Sequence, residues 1–447
     1  MAFFVHLISS GKTIFYYDAE QYWRFGSSFV KDGNFSIFNY TEGLRGVWFP
    51  MILFSLQYIN HYLQLDPILI VRIFSALYIS SFIAFLVPKL ISRIYPEIKI
   101  SFFNILFFGV LVFIFWRNYF NYPLSDFPAI ILLIWGVFFL FSRKLIVLFF
   151  SGILFGMAIN IRPIFLISLL PVIVFLFLDT EKQTFVRSIF RPLLKFGFIL
   201  FGILIISIPQ ILVNNNAFST ISPLVQTEKS IYGRNLYLQQ LIWGFSYEKY
   251  ETNTGLVYPK PPVFFCDRLG SSIAQKEQVD TLQNYGDFLK TCAKYPVEMS
   301  CIYFKHIFNG LDIKDNTVYL NEVNRRNYFF SLLNYSVFFV FLISTFIYRK
   351  YLFNSKRKIF FPIILIISAI LAIPTAIETR FMLPIFLFAY IVVSFLVEYK
   401  VVFNNLSRLK KSCILILYMA FLIISFVLSN TTYSNVEIIQ HAVGKIE

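Results

Sequence analysis

Residues 195–213 read KFGFILFGILIISIPQILV, a run in which only the first residue is charged. A helix of about 20 apolar residues spans the hydrocarbon core of a bilayer. Comparable runs recur along the 447-residue chain, which is 57% hydrophobic and only 14% charged. Because lipid offers no partner to exposed backbone groups, such runs must cross the membrane as helices. The sequence therefore predicts an all-α polytopic membrane protein.

The apolar runs predict ten spans, and a missing first span would raise the total to about 10–11 transmembrane helices. Several runs are short, so we expect their ends to extend into the flanking loops. The predicted spans are 68–91, 99–116, 125–142, 145–161, 163–178, 195–213, 328–348, 359–376, 381–399 and 412–430.

Two further segments define the predicted domains. Residues 47–63 are apolar but short, which is typical of a re-entrant or interfacial helix in the first external loop (16–67). The one long polar segment predicts a large external loop with an amphipathic helical part at 286–308. The expected division is a catalytic membrane module at 1–213, the external loop at 214–327 and C-terminal membrane helices at 328–447.

The distribution of charge predicts the orientation of the chain. The loops assigned to the cytoplasm, with their flanking residues, hold eighteen Lys and Arg and four acids. The segment 214–327 holds twelve Lys and Arg and eleven acids. Nearly all of the formal net charge of +15 therefore lies on one side, as the positive-inside rule requires. This asymmetry explains the basic composition without a nucleic-acid partner. We expect a multi-pass protein of the cell membrane, with the bilayer itself as a partner.

The same orientation places residues 1–46 outside the cell. The opening apolar stretch, MAFFVHLIS, is too short to cross a bilayer. Either the N-terminus is external or a first span is missing from this version of the chain, and we favour the second. The start also lacks the basic region and small-residue cleavage site of a signal peptide.

The cysteines are too few and too dispersed to predict a metal site. Cys266, Cys292 and Cys301 lie in the large polar segment and Cys413 lies in a predicted span. One disulfide can form among the first three if that segment is external, which leaves one thiol over. His61 and His306 are isolated and indicate ordinary interfacial or loop residues.

Charged residues near the outer ends of the predicted spans mark the candidate site. Arginine binds phosphate through two parallel hydrogen bonds, and a carboxylate can take a proton from a hydroxyl. The alternative interpretation is that each residue only marks the water interface. The set comprises Asp18, Glu20, Arg24, Glu42, Arg45, Arg72, Arg117, Asp126, Arg162, Glu378 and Arg380.

Six short motifs follow one another in this set. FYYDAEQYW contains Asp18 and Tyr22, RGVWFPMILF contains Arg45 and Pro50, and LIVRIFSALYIS contains Arg72. Later come Asp126 in NYPLSDFPAI, Arg162 in GILFGMAINIRPIF and Arg380 in ETRFMLPIF. In this order the motifs resemble those of GT-C glycosyltransferases. The most similar types are the dolichyl-phosphate-mannose protein mannosyltransferases and the bacterial aminoarabinose-lipid A transferases.

The resemblance implies a GT-C-like fold and an inverting transferase. Such an enzyme moves a hexose or pentose from a polyprenyl-phosphate sugar to a glycolipid, glycan or protein acceptor on the extracytoplasmic face. It requires no tightly bound cofactor, although a divalent cation can take part. The implied catalytic residues are Asp18 and Asp126; the implied donor-phosphate ligands are Arg24, Arg45 and Arg380; the implied substrate-binding residues are Glu20, Tyr22, Arg72, Arg162 and Glu378.

The sequence departs from the family at two places. The position three residues after Asp18, often basic in the aminoarabinose type, is Gln21. The double acid of the protein mannosyltransferases is matched only by Asp18 and Glu20 with one residue between them. The acceptor and the subfamily therefore stay open.

Two other functions are compatible with parts of the pattern. A transporter or flippase for a lipid-linked glycan would place charges near the membrane midplane and show inverted repeats. Here the charges cluster at one face and no repeat is visible. A polymerase of the O-antigen type shares the long external loop, but it would use a pyrophosphate-linked donor.

Overall fold

The computed structural model describes residues 1–11, 14–179, 185–229, 233–253, 263–316, 318–320, 327–397 and 407–438. Helices dominate these residues. They are α1 Ala2–Ile8, α2 Tyr17–Ser27, α3 Trp48–Leu63, α4 Pro67–Ser81, α5 Val87–Ile94, α6 Phe102–Trp116, α7 Asp126–Leu140, α8 Leu145–Ile161, α9 Leu169–Leu178, α10 Phe185–Phe218, α11 Leu236–Ser246, α12 Arg268–Lys276, α13 Tyr285–Lys294, α14 Pro296–Leu311, α15 Tyr328–Leu352, α16 Lys356–Ala372, α17 Leu383–Ile391 and α18 Arg408–Ser434.

Six of the described helical segments are long and apolar enough to cross a membrane, which confirms a multi-pass helical membrane protein. Shorter apolar helices occupy three more predicted spans, at 126–140, 145–161 and 163–178. The total of 10–11 spans stays a prediction. The six long segments are Pro67–Ile94, Phe102–Asn121, Ile189–Phe218, Tyr328–Leu352, Thr379–Leu396 and Arg408–Ser434.

The chain folds into two compact units. Unit 1 comprises Met1–Ile105, Trp116–Leu236 and Phe353–Ser368, and unit 2 comprises Leu106–Phe115, Tyr237–Leu352 and Ala369–Glu447. This division follows packing, whereas the three predicted domains follow membrane topology. The predicted domains therefore stay a prediction.

Unit 1 is built on close contact between α7, α8 and α10. A Cβ on Gly152 would lie 2.0 Å from the Ile199 carbonyl oxygen, and one on Gly202 would lie 2.2 Å from that of Phe149. Only glycine allows this backbone approach, which is a common way to pack helices in lipid. Ser151 adds a hydrogen bond of 2.7 Å to the Gly136 carbonyl. These contacts make a rigid support for the loops at the helix ends.

The segment predicted to be the first external loop is itself folded. The part predicted as a re-entrant or interfacial helix is helical as α3, and α2 packs along it through Gly26, whose added Cβ would lie 3.0 Å from Gln57. Strands β1 (Val30–Lys31) and β2 (Asn34–Phe35) form a small antiparallel hairpin between the two helices. Tyr22 meets Phe49 edge-on at 4.9 Å between ring centroids. The aromatic residues of FYYDAEQYW thus pack within a helical hairpin.

Unit 2 contains a sheet that the sequence did not predict. Its strands lie in the order β5-β3-β4-β6, where β3 is Tyr247–Asn253, β4 Val263–Cys266, β5 Tyr319–Leu320 and β6 Val436–Ile438. β3 pairs antiparallel with β4, with a register shift between Tyr247 and Lys249, and parallel with β5. The expected amphipathic helix at 286–308 is present as two helices, α13 and α14, which meet at Tyr295 and Pro296. The helices share an apolar core that includes Leu238, Leu241, Ile242, Phe245, Ile273, Phe288 and Ile302.

A buried charge cluster joins the sheet to the rest of unit 2. Glu251 accepts from Lys249 at 3.1 Å and from Lys314 at 2.9 Å, and both lysines are almost fully buried. Burial alone would raise the pKa of Glu251, but the two ammonium groups hold it below its usual range. Tyr433 of α18 lies beneath Lys314, with 3.9 Å from Nζ to the ring centroid. Glu251 balances only one of the two lysines, so the cluster keeps a net charge of +1, and Tyr433 ties α18 to β3.

The cysteines carry no disulfide in this structure. Cys266 is buried, Cys292 is half-buried, and Cys301 and Cys413 are exposed, all as free thiols. The Cys292 thiol instead lies 3.3 Å from the Tyr303 hydroxyl.

Candidate functional site

Asp18 and Arg45 face each other in the first external loop of unit 1. One Asp18 carboxylate oxygen lies 3.7 Å from an Arg45 guanidinium nitrogen. The Asp18 side chain is 27% exposed and that of Arg45 is 23% exposed. The pair is looser than a direct hydrogen bond and is open to solvent. An incoming group can therefore approach either member.

The start of α2 sets the position of Asp18. Tyr17 has a φ of +44°, in the left-handed region that is unfavourable for an aromatic residue. The chain thus turns sharply one residue before Asp18 and places the carboxylate in the first turn of α2. The helix N-terminus favours negative charge at that position. The Asp18 carboxylate is therefore positioned by the start of α2 as well as by Arg45.

The Arg45 guanidinium group lies over an aromatic ring. Its guanidinium carbon is 5.3 Å from the centroid of the Tyr22 ring. The Tyr40 hydroxyl donates a 2.9 Å hydrogen bond to the Arg45 carbonyl, and burial raises the pKa of Tyr40 well above its ordinary value. Tyr40 therefore remains a neutral donor at any physiological pH. Tyr22 thus holds the Arg45 side chain, and Tyr40 holds its backbone.

A ladder of buried amides anchors the chain directly after Arg45. The Val47 N–H donates to Gln210 Oε1 at 3.0 Å, and the Trp48 N–H donates to Asn160 Oδ1 at 3.0 Å. Asn160 donates to Gln210 at 2.9 Å, and Gln210 donates to Asn214 at 2.9 Å. We call Asn160, Gln210 and Asn214 the amide ladder. Its side chains accept hydrogen bonds from two backbone N–H groups at the start of α3 that have no partner within the helix.

Sequence reasoning missed the amide ladder. The signal was present, because Asn160 and Gln210 are uncharged polar residues inside apolar spans, where an unpaired amide is costly. The neighbouring Gly46 is part of the same contact: a Cβ there would lie 2.0 Å from the Asn160 carbonyl oxygen. The loop that carries Arg45 therefore packs closely against α8, which restricts its movement.

A second acid–arginine pair lies deeper in unit 1. Asp126 forms an ion pair with Arg162, and it also accepts a hydrogen bond from the Tyr119 hydroxyl. The Asp126 side chain is only 2% exposed, whereas that of Arg162 is 22% exposed. The Asp126 N–H donates to the Tyr119 oxygen at 3.2 Å. Asp126 is thus enclosed, and Arg162 is the member of this pair that solvent reaches.

One hydrogen bond connects the two pairs. The Tyr22 hydroxyl lies 2.9 Å from the Ser125 hydroxyl, one residue before Asp126, and both side chains are buried. Tyr22 carries Arg45 on its ring and reaches the start of α7 with its hydroxyl. The structure therefore brings together Asp18, Tyr22, Arg45, Asp126 and Arg162.

The remaining candidates of unit 1 lie around this group. Arg72 is buried on α4 and donates to the Ser10 carbonyl at 3.1 Å. Glu20 and Arg24 are exposed on α2. Burial raises the pKa of Glu42 while the nearby charge of Arg24 opposes that rise. Glu20 and Arg24 therefore add charge to the exposed face of α2, whereas Arg72 is shielded from solvent.

Glu378 and Arg380 belong to unit 2. Arg380 Nε lies 2.7 Å from Glu378 Oε2, and the two form a forked pair that is partly exposed.

The two histidines make the contacts of structural residues. His306 is buried, with Nδ1 at 2.7 Å from the Ile373 carbonyl, and burial lowers its pKa to about 4. His61 lies on α3 beside the Tyr62 ring.

The group of five residues offers a definite set of chemical functions. Asp18 is an accessible carboxylate, and Arg45 and Arg162 are accessible cations. Tyr22 holds Arg45, and Asp126 holds Arg162. Such a set can hold a phosphate and accept a proton from a hydroxyl. Among the described residues no three His, Cys, Asp or Glu side chains gather into a metal-binding group.

Comparison with known proteins adds no relative. No family model, curated protein or solved structure matches the chain. The resemblance to GT-C enzymes therefore rests on the quoted motifs alone. The geometry of the five residues is the structural observation that bears on function.

Proposed function

We propose that the protein is an integral-membrane glycosyltransferase that moves a sugar from a polyprenyl-phosphate donor to an acceptor on the extracytoplasmic face of the cell membrane. The acceptor is a glycolipid, a cell-surface glycan or a protein. The site would lie where the first external loop meets the outer ends of α7 and α8. The order of the six motifs and the convergence of five of their residues support this proposal.

The reaction would use Asp18 and Arg45 in complementary roles. An acceptor hydroxyl would attack the anomeric carbon, and Asp18 would take the hydroxyl proton as the new C–O bond forms. The bond from the anomeric carbon to the phosphate oxygen would break, and the polyprenyl phosphate would leave with the bonding electrons. Arg45 would stabilise the negative charge that grows on that phosphate, where a fixed cation contributes most.

The observation that best supports this proposal is the difference in exposure between the two acid–arginine pairs. Asp18 and Arg45 are loosely paired and each is about a quarter exposed, whereas Asp126 is enclosed by Arg162 and Tyr119. A phosphate can take over Arg45 and free Asp18 to accept a proton. Asp126 would act through Arg162 by holding its guanidinium toward the site.

The test compares the envelope of cells with and without the gene. Extracellular glycans and lipid extracts are measured by mass spectrometry. Loss of one sugar from a glycan, together with accumulation of one polyprenyl-phosphate sugar, is the expected result. The donor accumulates because its consumption stops.

Each alternative function gives a different pattern. A polymerase would shorten a glycan without changing its composition, and a pyrophosphate-linked repeat unit would accumulate. A flippase would leave transfer intact in opened membranes supplied with donor and acceptor. Either pattern, or an unchanged envelope, would contradict the transferase.

A further inference from the structure

A dense group of cations lies at the other end of unit 1, among residues that the proposed reaction does not use. Segments 89–99, 141–144, 178–179 and 356–358 meet there through side-chain contacts. Together they contain eight Lys and Arg and only two acids, Glu97 and Asp179. We call this group the basic end of unit 1.

Four of the cations, Lys89, Arg93, Arg357 and Lys358, lie over aromatic rings. Lys89 Nζ lies 4.2 Å from the Phe85 centroid, the Arg93 guanidinium carbon 4.9 Å from that of Phe138, and that of Arg357 5.7 Å from that of Phe141. Aromatic rings at a span end sit at the level of the lipid headgroups. The rings therefore fix the cations at that depth.

One of the two acids, Glu97, is already engaged. Lys358 binds Glu97 and lies over the Tyr95 ring at 4.9 Å, and Lys356 donates to the Leu178 carbonyl. Arg93 and Arg357 lie over Phe138 and Phe141, which are three residues apart at the end of α7 and therefore on one face, so that the two positive charges repel each other. Within the part of the chain that the structure describes, neither has a carboxylate within ion-pair distance.

We propose that Arg93 and Arg357 form a binding site for the phosphate of an anionic phospholipid, such as phosphatidylglycerol, in the leaflet that faces the basic end of unit 1. Two half-buried guanidinium groups side by side are unfavourable without an anion between them. Guanidinium forks match a phosphate in shape and charge. Basic pockets between membrane helices on the cytoplasmic side are suited to such headgroups. The site is separate from the proposed transfer reaction and does not depend on it.

The test uses the purified full-length protein and three probes: phosphatidylglycerol, phosphatidylcholine and inorganic phosphate. Native mass spectrometry counts retained lipids, and thermal melting measures stabilisation. We expect phosphatidylglycerol alone to be retained and to raise the melting temperature. The double variant Arg93→Gln/Arg357→Gln should weaken this binding about tenfold or more, since hydrogen bonds to charged groups are strong.

A charge-matched control separates a site from general attraction. Lys99 and Lys144 are exposed and have the same total charge as the arginine pair, so Lys99→Gln/Lys144→Gln should keep most of the binding. Equal loss in both double variants would overturn the proposal, as would normal binding in the arginine variant. Stabilisation by inorganic phosphate equal to that by phosphatidylglycerol would assign the site to a soluble anion and overturn the lipid proposal. Arg93→Lys/Arg357→Lys checks folding, because it keeps the charge and loses only the forks.

Discussion

At the scale of the residue, Asp18 and Arg45 hold each other 3.7 Å apart without closing on each other. A direct charge-assisted contact would be about 2.7–2.9 Å long and would have to be broken before either group met substrate. The looser arrangement is maintained because Arg45 is held from below by Tyr22 and Asp18 by the start of α2. The surroundings thus keep both groups ready for separate tasks.

The first prediction concerns the shape of the Arg45 cation. Arg45→Ala should weaken binding of the polyprenyl-phosphate donor more than Arg45→Lys does, because lysine restores the charge but not the fork. The measurement is donor affinity of the purified variants. Lys31→Ala, an exposed cation of the same loop, serves as the control. Donor affinity equal to that of the parent in both Arg45 variants would reduce this residue to an interface anchor.

The second prediction separates a positioning role from a catalytic role for Asp126. Asp126→Ala should lower stability strongly, by about 3–5 kcal/mol, because it leaves Arg162 without its buried partner. Asp126→Asn keeps an acceptor for Tyr119 and should retain a measurable fraction of turnover. The assay compares thermal melting with transfer rate. If Asp126→Asn melts like the parent yet has no turnover, Asp126 itself takes part in proton transfer.

At the scale of the element, the amide ladder links α3 to α8 and α10. Gln210→Leu should lower stability and turnover together, because the Val47 N–H and the Asn160 amide lose their acceptor. Each unsatisfied buried group costs about 1–3 kcal/mol. Ser207→Ala, one turn earlier on α10 and bonded only to the Ile203 carbonyl, should be nearly neutral. Thermal melting that shows no difference between the two variants would remove the ladder from the account.

The elements differ in how well the sequence predicted them. The span at 195–213 and the helix at 47–63 follow from apolar run length, which is a local property. The order of the motifs assigned Asp18 and Arg45 to one site, but it did not predict that the two form a pair. The sheet of unit 2 was missed because β3, YEKYETN, is short and polar and depends on partners distant in sequence. The enclosure of Asp126 by Tyr119 was missed because burial of an acid depends on tertiary packing.

At the scale of the whole molecule, the contacts in unit 1 join loops that the sequence assigns to the same side of the membrane. The loops assigned to the outside meet at Asp18, Arg45 and Asp126, and those assigned to the cytoplasm meet at Arg93 and Lys358. Such convergence is what alternate crossing of a membrane requires.

The orientation itself is tested by cysteine labelling. Ser272 in the large polar segment and Ser355 before α16 are both exposed. In a background with the four native cysteines changed to serine, Ser272→Cys should react with an impermeant maleimide on intact cells or spheroplasts. Ser355→Cys should react only after the membrane is opened. The reverse pattern would put the acids in the cytoplasm and remove the main support for a lipid-linked donor outside.

The central claim is that Asp18 accepts the proton in sugar transfer, and a complementation experiment tests it most directly. Cells that lack the gene receive the parent, Asp18→Asn or Asp32→Asn. Asp32 is an exposed acid of the same loop with a φ of +52°, which asparagine tolerates. Extracellular glycans are then measured by mass spectrometry, with protein levels matched.

We predict that Asp18→Asn leaves the glycan without its sugar, because loss of a general base costs about a hundredfold or more in rate. The parent and Asp32→Asn should restore the sugar. Restoration by Asp18→Asn to the level of the parent would contradict the account.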